Sequence, residues 1–103
     1  MSIMLQLSST NYTADRLCVK MALSHLETLC KTHGGYALSE PDEMAGWTFF
    51  RLIIKPDLHE GIMKEFEDML SKSRWSSPDV KFVSFMQEYF SARNCNVKVK
   101  IYA

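Results

Sequence analysis

Hydrophobic and polar residues alternate at both ends of the chain. Apolar side chains recur at every second position of residues 2–8 and of residues 97–102, and this period of two is typical of a half-buried strand. A third stretch, residues 46–55, is a nearly continuous run of aromatic and aliphatic residues that ends at Pro56. It is too short to span a membrane, and its aromatic and β-branched content favours a strand over a helix. We therefore predict a central strand over residues 46–55, paired with a short strand over residues 36–39.

Three other stretches have apolar residues at the 3.6-residue spacing of a helix with one buried side. The predicted helices span about residues 14–32, 58–73 and 78–93. Gly34 and Gly35 follow the first helix and predict a left-handed stop. Asp57, with Glu60 three residues later, predicts a reciprocal cap at the start of the second helix, and Pro78 predicts the first position of the third.

The order of these elements is strand, helix, strand, strand, helix, helix, strand. This order is a βαββαβ frame with an extra helix before the last strand. Right-handed crossovers would place the first and third strands in the centre of the sheet, the last strand beside the first, and the first two helices on one face. We therefore predict an α+β fold of the ferredoxin-like plan, as one domain over residues 1–103.

Composition narrows the classes of protein to which the chain could belong. Lys and Arg together number 12, as do Asp and Glu, and 47% of the residues are hydrophobic. These values exclude an intrinsically disordered chain and a generally basic nucleic-acid binder. The first residues lack the basic-then-apolar pattern of a secretory signal, and no apolar run approaches the ~18 residues of a membrane span. We therefore expect a cytoplasmic chain without membrane association.

The cysteines give no sign of a disulfide framework. They are Cys18, Cys30 and Cys95. Their number is odd and none of them form a CxxC pair, so we predict reduced, partly buried thiols.

No catalytic or metal-binding motif is present in the sequence. Cys30 and His33 have the C-x-x-H spacing of two metal ligands, but a second pair is missing, and a helix-terminal histidine explains the pattern. His59 and Glu60 could form an acid–base pair, although capping of a helix explains the carboxylate. A third group, the acidic turn around Pro41, contains Glu40, Asp42 and Glu43. A solvated loop explains that turn better than a cation site, and we expect a non-enzymatic protein without metal or cofactor.

Strand parity points to a surface with aromatic and basic side chains. If Phe50, Leu52 and Ile54 face the helices, alternate residues of the central strand face the other side of the sheet, and alternate residues of the last strand join them. The predicted surface consists of Trp47, Phe49, Arg51 and Ile53 with Lys98, Lys100 and Tyr102.

Residues 45–52 resemble part of the RNA-recognition motif family. In that family the third strand carries a Lys/Arg-Gly-aromatic-small-aromatic pattern that stacks bases. The matching positions here are Gly46, Trp47 and Phe49. The chain departs from the pattern at Ala45, which would be basic, at Leu52, which would be aromatic, and at Met4 in the first strand, where an aromatic residue is expected. The resemblance implies single-stranded nucleic-acid binding, with stacking on the two aromatic residues and phosphate contacts from the three cations.

Three interpretations of this surface remain open from the sequence. The helix over residues 78–93 could cover it, which would make Trp47 and Phe49 core residues. The surface could bind a protein, with Trp75 as a further anchor, or it could bind single-stranded nucleic acid. We predict a stoichiometric protein-binding module of the adaptor or inhibitor class, which includes viral and mobile-element antagonists of host machinery. Nucleic-acid binding is the alternative, and homodimerisation through the sheet or an exposed edge is left open.

Overall fold

The computed structural model describes residues 2–72 and 77–102 of the chain. Within them lie five strands and four helices in the following order. The elements are β1 (Ile3–Ser9), α1 (Tyr12–Cys30), β2 (Tyr36–Leu38), β3 (Asp42–Met44), β4 (Trp47–Ile54), α2 (Pro56–Glu65), α3 (Glu67–Ser71), α4 (Pro78–Ala92) and β5 (Lys98–Ile101). The predicted α+β class is confirmed.

The strands form one antiparallel sheet in the order β2-β4-β1-β5. As the sequence predicted, β1 and β4 are central, and β5 lies beside β1. The strand β3 pairs with β4 next to β2, although the sequence predicted a loop there. Because the sheet contains this fifth strand, the exact ferredoxin-like topology is not confirmed.

The hydrophobic core lies on one face of the sheet. Phe50, Leu52 and Ile54 of β4 point into it together with Leu5 and Leu7 of β1, and each of these residues is at most 2% exposed. Helices α1, α2 and α4 all contribute buried side chains to the same core. The described helices therefore cover one face of the sheet, and the side chains of β4 that point to that face are the ones predicted from the sequence.

Helix α4 does not cover the second face of the sheet, so that interpretation is wrong. Its residues Phe82, Met86 and Phe90 are buried in the same core as the side chains of α1 and β4. The Gln87 side chain accepts a hydrogen bond from the Val99 backbone N–H (2.9 Å) and donates one to the Val97 carbonyl (2.9 Å). The connection from α4 to β5 is short, and Val99 of β5 is buried in the same core, so α4 packs on the covered side.

The predicted second helix is divided into α2 and α3 at Phe66. The backbone of this residue leaves the helical conformation (φ −114°, ψ 26°), and its ring lies 4.7 Å from that of Phe85 on α4. Helix α2 begins at Pro56 with Lys55 as the N-cap residue. The predicted cap at Asp57 is therefore wrong, because the proline, with its fixed φ and missing N–H, already starts the helix.

The glycines near the end of α1 permit close packing. Lys31, rather than the predicted pair Gly34 and Gly35, ends the helix in the left-handed conformation (φ 56°). A Cβ atom on Gly35 would lie 2.6 Å from Leu58 Cβ, and one on Gly61 would lie 2.7 Å from Cys30 Cβ. The two glycines therefore allow α2 to approach the C-terminal end of α1.

Cys18 on α1 and Cys95 before β5 form a disulfide, with their Cα atoms 5.6 Å apart. The prediction of three reduced thiols is wrong, and Cys30 is the free cysteine. The paired cysteines are 77 positions apart in the chain, and only the packing of α1 against the end of α4 brings them together. Disulfides persist in oxidising compartments and are rare in the cytosol, so this bond does not support the expected cytoplasmic location. Across residues 2–72 and 77–102, no helix has the length and apolarity needed to cross a bilayer.

Candidate functional site

The second face of the sheet, which we call the open face, is not packed against the described helices. It is formed by alternate residues of β4, β1 and β5, and their cross-strand register fixes which side chains are neighbours. These residues are Trp47, Phe49, Arg51 and Ile53, then Met4, Gln6 and Ser8, and finally Lys98 and Lys100. Tyr102 follows β5 at its C-terminal end, on the same parity.

The open face contains two cation–π contacts that reach across β1, between β4 and the C-terminal segment that comprises β5 and Tyr102. The guanidinium carbon of Arg51 lies 4.3 Å from the centroid of the Tyr102 ring. The Nζ atom of Lys98 lies 5.4 Å from the centroid of the Trp47 ring. Such contacts contribute about 0.5–1 kcal/mol at exposed sites. They hold the aromatic rings in place while Arg51, Lys98 and Lys100 remain exposed.

A tight hairpin between β3 and β4 adds an edge to this face. Ala45 (φ 52°) and Gly46 (φ 85°) form its two-residue turn, and positive φ at both positions defines a type I′ turn. The register places Met44 opposite Trp47 and Asp42 opposite Phe49. Asp42 and Met44 therefore extend the open face by one strand.

The junction between β2 and β3 is a bulge. Leu38 pairs with Leu52, and the next pair is Asp42 with Phe49, so three residues on one strand oppose two on β4. The hydroxyl of Ser39 accepts a hydrogen bond from the Arg51 backbone N–H (2.8 Å), and the Ser39 N–H donates to the Arg51 carbonyl (2.9 Å). This side chain replaces a missing ladder partner and fixes the backbone from which Arg51 extends.

A hollow of about 640 Å³ lies on the open face beside this bulge. Its polar and apolar lining includes Gln6, Ser39, Glu40, Asp42, Met44, Phe49, Arg51 and Tyr102. Phe49 supplies apolar surface, while Arg51 and the two carboxylates supply opposite charges. The hollow can therefore accept a side chain with both apolar and polar contacts.

Positive and negative charges lie at opposite margins of the open face. The exposed cations belong to β4 and β5, and the exposed carboxylates Glu40 and Asp42 lie at the β3 margin. Neighbouring strands are about 4.8 Å apart, so β3 and β5 are separated by roughly 14 Å. One margin is acidic and the other is basic, with Phe49 between them.

Six of the seven predicted site residues lie together on this face. They are Trp47, Phe49, Arg51, Lys98, Lys100 and Tyr102. The seventh, Trp75, lies outside the described residues. The sequence prediction missed Asp42, Met44 and Glu40, because the segment around Pro41 was assigned to a loop. The two-residue spacing between Met44 and Trp47 was the available signal for a hairpin.

The other candidate residues, His59 and Cys30, lie in packing contacts of the fold. His59 lies edge-on to the Phe82 ring at 5.0 Å, and partial burial lowers its pKa. Partial burial, reinforced by Glu65 and Glu27, raises the pKa of the Cys30 thiol, which disfavours the nucleophilic thiolate. Among the described residues, no three potential ligands of the His, Cys, Asp or Glu types converge on a metal position.

A polar cluster links α1 to α4 near the disulfide. Arg93 donates a hydrogen bond to Nδ1 of His25 (2.9 Å), and the Tyr89 hydroxyl lies 2.6 Å from the same nitrogen. The Arg93 guanidinium also stacks over the Tyr89 ring at 3.7 Å, and burial raises the pKa of Tyr89. We interpret this cluster as a tertiary contact, because its groups are hydrogen-bonded to one another.

Comparison of the chain with protein-family models, curated proteins and solved structures gives no match. These comparisons lend no support to the resemblance to RNA-recognition motif domains. The geometry and charge of the open face therefore carry the functional argument.

Proposed function

We propose that the chain is a non-enzymatic binding module that acts by stoichiometric contact of its open face with a protein. The observation that carries this proposal is the uncovered sheet face on which Trp47, Phe49 and Arg51 lie side by side. Aromatic residues, Met and Arg are enriched at the centres of protein interfaces. The role that we propose for it is that of an adaptor or inhibitor, a class that acts by stoichiometric binding and includes viral and mobile-element antagonists.

The frame of this module is proposed to be a variant of the ferredoxin-like plan. The elements β1, α1, β2, β4, α2 and β5 follow one another in the order that the plan requires. In this interpretation β3, α3 and α4 are additions to the frame.

Single-stranded nucleic acid is the second candidate ligand. The proximity of Trp47 and Phe49 to Arg51, Lys98 and Lys100 favours it, because stacking surfaces and cations are the components of such sites. The carboxylates Glu40 and Asp42 oppose it, since a polynucleotide is negatively charged along its whole length. The mixed charge of the face favours a protein.

The test compares a variant of the open face with a variant of an exposed helix. Phe49→Ala/Arg51→Ala removes two central side chains of the face. Leu17→Ala/Met21→Ala is the matched control, because these α1 side chains are 61% and 67% exposed. Proteins retained by the wild-type chain would be purified and titrated against each variant. We expect the first variant to lose at least about tenfold in affinity and the control to bind like the wild type.

Equal loss in both variants, or no loss in the open-face variant, would contradict the proposal. Titration with single-stranded RNA and DNA at low salt tests the second candidate. Binding that weakens steeply with salt and with Trp47→Ala would replace the protein proposal with the nucleic-acid one.

A further inference from the structure

We infer that the open face binds a second copy of the same chain, in a two-fold symmetric dimer with the two sheets face to face. This inference rests on the proposed function, because it names the protein that the open face contacts. It follows from the order of charges and side-chain sizes across the face.

The cross-strand register arranges the open face in rows. One row contains Asp42, Phe49, Ser8 and Lys98, on β3, β4, β1 and β5 in turn. A second row contains Arg51, Gln6 and Lys100, and Glu40 lies beside its β4 end, next to the Ser39 contact with Arg51. Each row therefore ends with a lysine on β5. The first row begins with Asp42, and Glu40 follows Ser39, the residue that pairs with Arg51 at the start of the second row.

Such a face is complementary to itself under one symmetry operation. The two-fold axis runs parallel to the strands, above the line midway between β4 and β1. It places β4 of one copy opposite β1 of the second copy, and β3 of one copy opposite β5 of the second. Each residue keeps its position along the strand direction, so each row of one copy faces the same row of the second copy. Asp42 then faces Lys98 of the second copy, and Glu40 lies at the margin that faces its Lys100, so the acidic margin of each copy meets the basic margin of the other.

Side-chain size is complementary under the same operation. Phe49 lies opposite Ser8, the smallest side chain of its row, which is 7% exposed. Ile53 lies opposite Met4, an apolar contact, and Arg51 lies opposite the neutral Gln6. Two twisted sheets can pack in this aligned manner about 10 Å apart.

The alternative occupants fit the charge pattern less well. A polynucleotide would place phosphates over Asp42 and Glu40, and an acidic peptide would place carboxylates there. In both cases like charges would repel one another. The face is only about 14 Å wide between its outer strands. The interface is therefore small, and we expect a weak dimer that forms in the high-micromolar range.

Sedimentation equilibrium of the full chain, from about 10 µM to about 1 mM, tests the inference. Two charge-reversed variants sharpen the test. One is Lys98→Glu/Lys100→Glu, which makes both margins acidic, and the other is Glu40→Lys/Asp42→Lys, which makes both margins basic. We expect the wild-type mass to rise from one chain to two. Each variant alone should associate at least about tenfold more weakly, and an equimolar mixture should regain association as a heterodimer.

Lys64→Glu/Lys72→Glu is the matched control, because these exposed lysines lie in α2 and at the C-terminal end of α3, not on the open face. This control should dimerise like the wild type, and circular dichroism should show that every variant is folded. A wild-type chain that stays monomeric, reversed variants that dimerise normally, or a mixture that fails to associate would each overturn the inference. If the chain is monomeric but another protein binds the open face, the inference fails while the proposed function stands.

Discussion

At the scale of single residues, the hairpin turn contains a residue whose type is disfavoured by its backbone conformation. Ala45 has a φ of 52°, in the left-handed region, which costs an L-residue with a Cβ about 1 kcal/mol. Asn and Gly are the residues preferred at the two central positions of a type I′ turn. The chain has glycine at the second position only.

Replacement of Ala45 by Asn should stabilise the protein. We expect Ala45→Asn to raise the free energy of unfolding by about 0.5–1 kcal/mol, because Asn tolerates the left-handed conformation better than Ala. Urea unfolding followed by tryptophan fluorescence measures the change. Gly46→Ala is the control with the opposite sign. Its φ is 85° and no atom lies within 4 Å of the added Cβ, so only backbone strain acts there. Destabilisation by Ala45→Asn would show that the turn has a different conformation.

At the scale of the elements, the crossing of α1 and α2 depends on a glycine that helix propensity alone disfavours. Gly61 lies inside α2, where Ala would be favoured by about 1 kcal/mol in an isolated helix. The Cβ atom of such an alanine would lie 2.7 Å from Cys30 Cβ. Packing and propensity therefore make opposite predictions for the same substitution.

We expect packing to dominate in Gly61→Ala. The protein should lose about 1–3 kcal/mol of unfolding free energy, because the two helices must separate to accept the new methyl group. A double-mutant cycle with Cys30→Gly, measured by thermal and urea unfolding, separates the two effects. The second substitution removes the clashing Cβ, so Gly61→Ala should cost less in its presence. Equal costs in both backgrounds would contradict the close contact.

Element packing also accounts for what the sequence could and could not predict about the sheet. Strand parity followed from the alternation in residues 46–55, because a period of two assigns neighbouring side chains to opposite faces. The strand β3 was missed, since its three residues are exposed and mostly polar and only their pairing with β4 defines them as a strand. The break at Phe66 was missed because the apolar spacing continues through it.

At the scale of the whole molecule, the disulfide connects α1 to the segment that leads into β5. It closes a loop of 77 positions. Disulfides typically stabilise a fold by about 2–4 kcal/mol, largely through the reduced entropy of the unfolded chain, and long loops lie at the upper end of that range. The bond also fixes β5, which supplies Lys98 and Lys100 to the open face.

Removal of this bond should weaken the fold throughout. We expect Cys18→Ser/Cys95→Ser to lose about 2–4 kcal/mol of unfolding free energy under non-reducing conditions. The wild type in reductant should approach the stability of the variant. Cys30→Ser is the matched control: it retains the Cys18–Cys95 disulfide, so it should lose stability in reductant as the wild type does, whereas Cys18→Ser/Cys95→Ser should not respond to reductant. If reductant leaves the unfolding free energy of the wild type unchanged, the disulfide does not stabilise the fold.

The sequence by itself determined the α+β class, the positions of the main strands and helices, and which side chains of β4 leave the sheet on each face. These features follow from local periodicity, because the pattern of apolar residues records the geometry of each element. Only the tertiary structure decided that α4 joins the covered face, that Cys18 meets Cys95, and that Asp42 stands in one row with Lys98. Those features depend on contacts between distant segments, and the packing of the elements establishes them.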